Sequence, residues 1–100
     1  MTGVPYRIEW RPAARDDLEG LVHHIARDSP LAAVRFGQKL HDQTLLLALQ
    51  PELGRTGRPG LPGFLREWVA HPNYLIFYRV LEQTRTVQIL RVKHVARQAP

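Results

Sequence analysis

A connection rich in glycine and proline separates two halves of the chain that have different hydrophobic periods. Residues 51–63 contain four Gly and three Pro, a composition that predicts a loop rather than a helix or a central strand. Before this loop apolar residues recur at helical spacing, and after it they alternate at strand spacing. A chain of 100 residues has room for a single domain, which we assign to residues 1–100.

The first half predicts one short strand and two helices. Apolar and charged residues alternate over 6–10, which is typical of a strand, and Pro12 suits the first turn of a helix over 13–28. Ser29-Pro30 combines a capping residue with a first-turn proline and begins a second helix that ends near Leu49. The acids near the start of the first helix, Asp16, Asp17 and Glu19, fit the positive end of its dipole.

The second half predicts three strands, over 64–70, 74–81 and 86–92, with turns at 71–73 and 82–85. The order of elements is therefore β-α-α-β-β-β. It predicts an α+β fold in which an antiparallel sheet carries an N-terminal helical hairpin packed on one face.

The positive charge is confined to the second half. Residues 1–50 hold six basic and six acidic side chains, whereas residues 51–100 hold eight basic and three acidic ones, so the whole net charge of +5 lies there. Such a surface attracts a polyanion or an acidic protein, although a role in solubility alone remains an alternative. Within the glycine-rich loop, which lacks the Gly-Lys-Ser/Thr of a phosphate loop, Arg55 and Arg58 are free to reach an anion.

The predicted hairpins bring three arginines into one row. If Pro72-Asn73 are the central residues of the first turn, Arg66 lies opposite Arg79, and a three-residue loop at 84–86 places Arg79 opposite Arg91. Like charges that face each other across strands are destabilising. The row therefore predicts an anion-binding surface, with three solvated arginines as the alternative. A shift of one residue at either turn would move an Arg to the other face.

Histidine is the one candidate for acid–base chemistry. His94 follows the last strand among Arg91, Lys93 and Arg97, where it could exchange a proton near neutral pH, although a structural His is the alternative. The remaining His do not combine into a metal-binding pattern, and Cys is absent, so we expect neither a metal nor another cofactor.

The sequence shows no basic N-terminal flank leading into an apolar stretch and no apolar run of about 20 residues. We therefore expect a cytoplasmic protein without a membrane partner.

Four segments together resemble the RelE/ParE superfamily of bacterial toxins: residues 6–18, 51–60, 74–80 and 89–98. They follow one another in the order of that family and cover essentially the whole chain. The resemblance implies the toxin of a type II toxin–antitoxin module, which arrests growth and forms a hetero-oligomer with a cognate antitoxin through an acidic, flexible segment. It also implies one of two targets, because RelE-like members cut ribosome-bound mRNA and ParE-like members inhibit DNA gyrase.

The residues that match the superfamily motifs favour the ParE branch. Where RelE-like nucleases resemble Tyr-Arg-Leu-Val-Tyr, with a phosphate-binding Arg, this chain has Leu75. The loop glutamate of some nucleases has no counterpart between Leu53 and Arg66.

If the chain is nevertheless a nuclease, the resemblance matches Arg66 and His94 to nuclease positions, Arg79 is the third candidate catalytic residue, and no metal is required. Tyr78-Arg79-Val80 and the His94-x-x-Arg97-Gln98 ending are more similar to ParE.

We therefore expect a gyrase inhibitor without chemistry of its own. An mRNA endonuclease is the first alternative, and a non-toxic nucleic-acid-binding domain is the second. The anion or partner surface is expected to use five arginines, namely Arg58, Arg66, Arg79, Arg91 and Arg97.

Overall fold

The computed structural model describes residues 3–97, with the side chain of Arg97 outside the described part. Its elements follow the predicted order and lie as follows: β1 (Arg7–Trp10), α1 (Pro12–Ala26), α2 (Pro30–Leu49), β2 (Arg66–His71), β3 (Tyr74–Leu81), β4 (Thr86–His94) and a short 3-10 helix (Val95–Arg97).

The four strands form one sheet in the order β1-β4-β3-β2. β2 pairs with β3, and β3 with β4, in antiparallel fashion, as predicted. β1 forms the edge of the sheet opposite β2 and pairs with β4 in parallel, with Arg7 aligned to Thr86 and Trp10 to Ile89. The α+β fold class and the element order are confirmed, and this one parallel pair makes the sheet mixed.

The helices begin where proline and serine predict. Pro12 and Pro30 each occupy the first turn of a helix, and the side chain of Ser29 accepts a hydrogen bond from the Ala32 backbone N–H at 3.1 Å. Only residues 27–29 connect α1 to α2, so the two helices pack as a hairpin.

The core lies between this hairpin and one face of the sheet. The helices contribute Ala14, Phe36, Leu40 and Leu47, and the sheet contributes Ala70, Ile76, Tyr78, Val87, Ile89 and Val92. The buried β3 and β4 residues on this face follow the period of two that strand geometry imposes, until a bulge at Leu90 offsets the pattern. Within residues 3–97, neither α1 nor α2 packs on the opposite face of the sheet.

β2 begins two residues later than predicted. The Leu65 N–H donates to the Pro62 carbonyl at 3.1 Å, which closes a turn and keeps Phe64 outside the strand. The ring of Phe64 is instead exposed beside Arg79.

No helix among residues 3–97 is long and apolar enough to cross a membrane.

Candidate functional site

The predicted row of three arginines does not form. The Pro72-Asn73 turn is as predicted, with His71 paired to Tyr74, but a bulge between Val69 and His71 shifts the rest of β2 by one residue. Arg66 is consequently paired with Tyr78 instead of Arg79. Because the side chains of a strand alternate between faces, the shift moves Arg66 away from the face that carries Arg79.

The second hairpin also differs from the predicted register. Leu81 pairs with Thr86 across a four-residue turn over 82–85, and the turn is closed by Arg85, whose φ of 47° is in the left-handed region. Arg79 therefore lies opposite Gln88, and Arg91 lies opposite Phe77. The prediction of a shared row was wrong because hydrophobic alternation does not reveal a bulge or the length of a turn.

Arg66 holds the start of the glycine-rich loop. Its Nη1 donates to the carbonyl of Gly54 at 2.6 Å and to that of Glu52 at 3.3 Å. The buried Tyr78 hydroxyl fixes the same segment, since it donates to the Pro51 carbonyl and accepts from the Gly54 N–H, both at 2.7 Å. Burial raises the pKa of Tyr78, so this hydroxyl stays protonated. Arg66 thus has a structural task.

Gly54 is required by this close approach. A Cβ at position 54 would lie 2.6 Å from the Tyr78 ring and hydroxyl, well inside van der Waals contact. The glycine at the beginning of the loop therefore permits the tyrosine to reach the backbone.

Arg58 is paired with a buried carboxylate that the sequence analysis did not single out. Its Nε and Nη2 donate to the two carboxylate oxygens of Glu67, both at 2.6 Å, and Glu67 is 7% exposed. The hydrogen bonds from Arg58 hold the pKa of Glu67 below its ordinary value. Backbone hydrogen bonds between Glu67 and Arg55, at 2.9 and 3.0 Å, add the loop to the edge of β2. The loop is thus fastened to the sheet by both main chain and side chain.

These contacts create a shallow pocket of about 280 Å³ on the loop, lined by Arg55, Thr56, Gly57, Arg58, Pro59 and Glu67. Arg55 is 80% exposed and reaches only to 3.7 Å from Glu67. Since Arg58 is already neutralised, Arg55 supplies the accessible positive charge of this pocket.

Arg79 belongs to a polar network on the face of the sheet without helices. It donates to Gln88 at 2.7 Å, and Gln88 donates to Glu9 at 3.1 Å, which links β3 across β4 to β1. The guanidinium also lies 5.5 Å from the centre of the Phe64 ring, in cation–π contact. Among the four predicted arginines whose side chains the structure describes, Arg79 is the one beside an exposed aromatic ring.

Arg91 is engaged by α1. Its Nε and Nη2 donate to Asp17 at 2.8 and 3.0 Å, and the Val92 N–H donates to the same carboxylate at 2.9 Å. Burial tends to raise the pKa of Asp17, but these hydrogen bonds outweigh it and leave the pKa low. Asp17 therefore accepts a β4 backbone N–H at a position that β1 is too short to reach. This contact and the pairing with Arg91, rather than the predicted interaction with the helix dipole, are its main role. The fifth predicted arginine, Arg97, has its side chain outside the described residues.

His94 is part of an aromatic cluster. Its ring is 5.1 Å from Tyr74, and Tyr74 is 4.9 Å from Phe36. The Nδ1 of His94 accepts the Ala96 N–H at 3.1 Å, so the neutral ring carries its proton on Nε2.

The three candidate catalytic residues do not converge. His94 pairs with Tyr74, whereas Arg79 stands five residues further along β3, a separation of about 17 Å along the strand. Arg66 lies on β2, away from the face of Arg79, and donates to the loop. Among residues 3–97, no three His, Asp or Glu side chains gather as metal ligands.

Sequence reasoning missed Glu67, Gln88 and the Tyr78 hydroxyl. A polar residue inside an apolar strand, such as Gln88 between Val87 and Ile89, is the available signal, because a buried polar group needs a partner. Which residues pair with Gln88 becomes clear only from the order of the strands in the sheet.

The architecture defines a class of protein. The fold is that of a chain in the chromosomal ParDE toxin–antitoxin system of P. aeruginosa, with a TM-score of 0.72 over 90% of this chain and 96% of that one at 24% identity. A chain of the RelBE2 toxin–antitoxin complex of Mycobacterium tuberculosis matches with a TM-score of 0.62 at 30% identity, over 93% and 94% of the two chains. The class is that of small RelE/ParE toxins, as the sequence motifs predict.

The family follows from residues 8–99, which match the model of the ParE toxin of the type II toxin–antitoxin system parDE. The toxin candidate Y4kP of Sinorhizobium fredii is 36% identical over 95 residues, 94% of this chain and 93% of its own. The chain therefore belongs to the ParE toxin family of type II toxin–antitoxin systems.

Proposed function

We propose that this chain arrests bacterial growth by inhibiting DNA gyrase, and that a cognate antitoxin silences it by direct binding. Gyrase inhibition is the activity that the ParE branch implies, and it requires a binding surface without catalytic groups. Such a target would place its action in the cytoplasm.

The observation that carries the proposal is that the side chains a nuclease would need are bound to other parts of this chain or lie far apart. Metal-independent RNA cleavage requires a base, a proton donor and cations around one phosphate. Here Arg66 holds backbone carbonyls and Arg58 is paired with Glu67, while His94 lies far along the sheet from Arg79. The strand position of the RelE-like arginine is Leu75, which is buried.

Glu67 is also a poor candidate for a general base. Its carboxylate accepts two charge-assisted hydrogen bonds and has a lowered pKa. Such a group holds a proton weakly near neutral pH. The contacts of Glu67 suit the fastening of the loop better than proton transfer.

An acidic antitoxin agrees with the charge of the second half. The exposed Arg55 at the loop pocket and Arg79 beside Phe64 offer cations for carboxylates. The solved relatives named above come from toxin–antitoxin systems, which supports a hetero-oligomer. Because Arg58 and Arg91 are already paired inside the chain, we expect them to contribute less to antitoxin binding than Arg55 and Arg79.

The test is an induced-expression assay that reads both targets. We expect growth arrest, loss of plasmid supercoiling, and direct inhibition of purified gyrase, with message ends unchanged in primer extension. New 5′ ends in translated message, with gyrase unaffected, would establish the nuclease alternative. Normal growth of cells that express the folded chain alone would favour the non-toxic alternative.

Two variants sharpen this assay. Gly54→Val removes the space for Tyr78 and provides a control that should neither fold nor arrest growth. His94→Ala lowers a nuclease rate by about 10²-fold or more if the ring is the proton donor, whereas a gyrase inhibitor has no proton transfer to lose.

A further inference from the structure

The outer surface of α2 carries a stripe of exposed aliphatic side chains. Leu31, Val34, Leu45 and Leu49 are 59%, 67%, 49% and 63% exposed. Together with Gln38 and Asp42 they follow one another at steps of three, four, four, three and four residues, which places all six on one helix face. We call these six residues the outer stripe.

The fold does not use the outer stripe. The opposite face of α2 supplies Ala33, Phe36, Leu40 and Leu47 to the core. α2 therefore has two apolar faces, and one of them is directed away from the sheet. Aliphatic groups aligned over a helix of twenty residues, about 30 Å long, are typical of a surface that meets another helix.

The outer stripe is nearly symmetric about Leu40. Leu31 and Leu49 stand nine residues on either side of Leu40. Gln38 and Asp42 stand two residues on either side of it. Val34 and Leu45 stand six and five residues away. An antiparallel copy of the same helix thus places aliphatic ends on aliphatic ends and a polar centre on a polar centre, whereas an unrelated partner imposes no such symmetry.

Two charges agree with the same antiparallel arrangement. Arg35, which borders the outer stripe, and Asp42, which belongs to it, are both exposed and lie on the same side of its midline. A two-fold axis perpendicular to two antiparallel helices keeps equivalent sides together. In that arrangement each Arg35 lies within one helical turn of Asp42 in the other copy, which gives two complementary ion pairs.

We propose that the outer stripe of α2 is a self-association surface, which joins two copies of this chain as an antiparallel, two-fold symmetric helix pair. The polar centre at Gln38 and Asp42 fixes the register, as buried polar positions do in coiled coils. One helix per copy offers less than the roughly 800 Å² per partner of a standard interface, so the dimer is weak and forms in the micromolar range. This proposal does not depend on the gyrase proposal.

Sedimentation velocity of the purified chain, from low to several hundred micromolar, tests the proposal. We expect a monomer–dimer equilibrium whose dissociation constant rises at least about tenfold in Val34→Glu. The matched control is Val69→Glu, which adds the same charge at a valine of similar exposure on β2 and leaves the equilibrium unchanged. Circular dichroism verifies that both variants remain folded.

A charge exchange provides the sharper test. Arg35→Glu and Asp42→Arg should each weaken the dimer, and the double variant should restore it, because the pairs form between copies. A chain that is monomeric at every concentration, or a dimer that Val34→Glu leaves intact, overturns the proposal. If the stripe variants lower only the affinity for an antitoxin, the stripe belongs to that partner and self-association is wrong.

Discussion

The Tyr78 hydroxyl allows a prediction whose magnitude follows from the structure. It bridges the Pro51 carbonyl and the Gly54 N–H, each at 2.7 Å and buried. Tyr78→Phe keeps the ring and removes both hydrogen bonds. Each buried backbone group left without a partner costs about 1–3 kcal/mol, so the two groups together predict a loss of about 2–6 kcal/mol in the free energy of unfolding.

Urea unfolding followed by circular dichroism measures this loss, with a midpoint that falls and a slope that stays constant. For a domain of this size, the thermal midpoint should fall by at least about 8 °C. Tyr74→Phe is the control, because it removes the same group from the same strand and its hydroxyl makes no hydrogen bond within residues 3–97. A loss below about 0.5 kcal/mol for Tyr78→Phe, or equal losses for both variants, would refute the reasoning.

Two further predictions concern the same loop. Gly54→Ala places a Cβ 2.6 Å from Tyr78 and should destabilise the fold by about 1–3 kcal/mol or more. The control Gly20→Ala lies in open space on α1 and should stabilise the fold by about 0.5–1 kcal/mol. If the denaturant midpoints of the two variants do not differ, the close contact between Gly54 and Tyr78 is contradicted. Glu67 has a lowered pKa in the folded state because of Arg58, so its contribution is complete above the unfolded value near 4.5 and is lost as the pH falls through the folded pKa. Unfolding measured from pH 7 to pH 3 should therefore show an acid loss of stability that is shallower in Glu67→Gln, and an unchanged slope would contradict the pairing.

Part of the candidate site could be predicted from the sequence and part could not. The basic second half, the glycine-rich loop and the family motifs predicted that the arginines are the functional side chains. What the sequence could not predict was how many of them are engaged internally. Arg58 meets Glu67, nine residues away, and Arg91 meets Asp17, 74 residues away, so the accessible positive charge is smaller than the composition indicates.

The order of strands and helices was determined by the sequence itself, because hydrophobic period, capping serine, proline and glycine act over a few neighbouring residues. The mixed sheet, the bulges beside Ala70 and Leu90, and the resulting faces of Arg66 and Arg79 were decided only in the tertiary structure. The physical reason is that successive side chains of a strand point to opposite faces of the sheet. A single extra residue therefore moves every side chain beyond it to the other face relative to the partner strand.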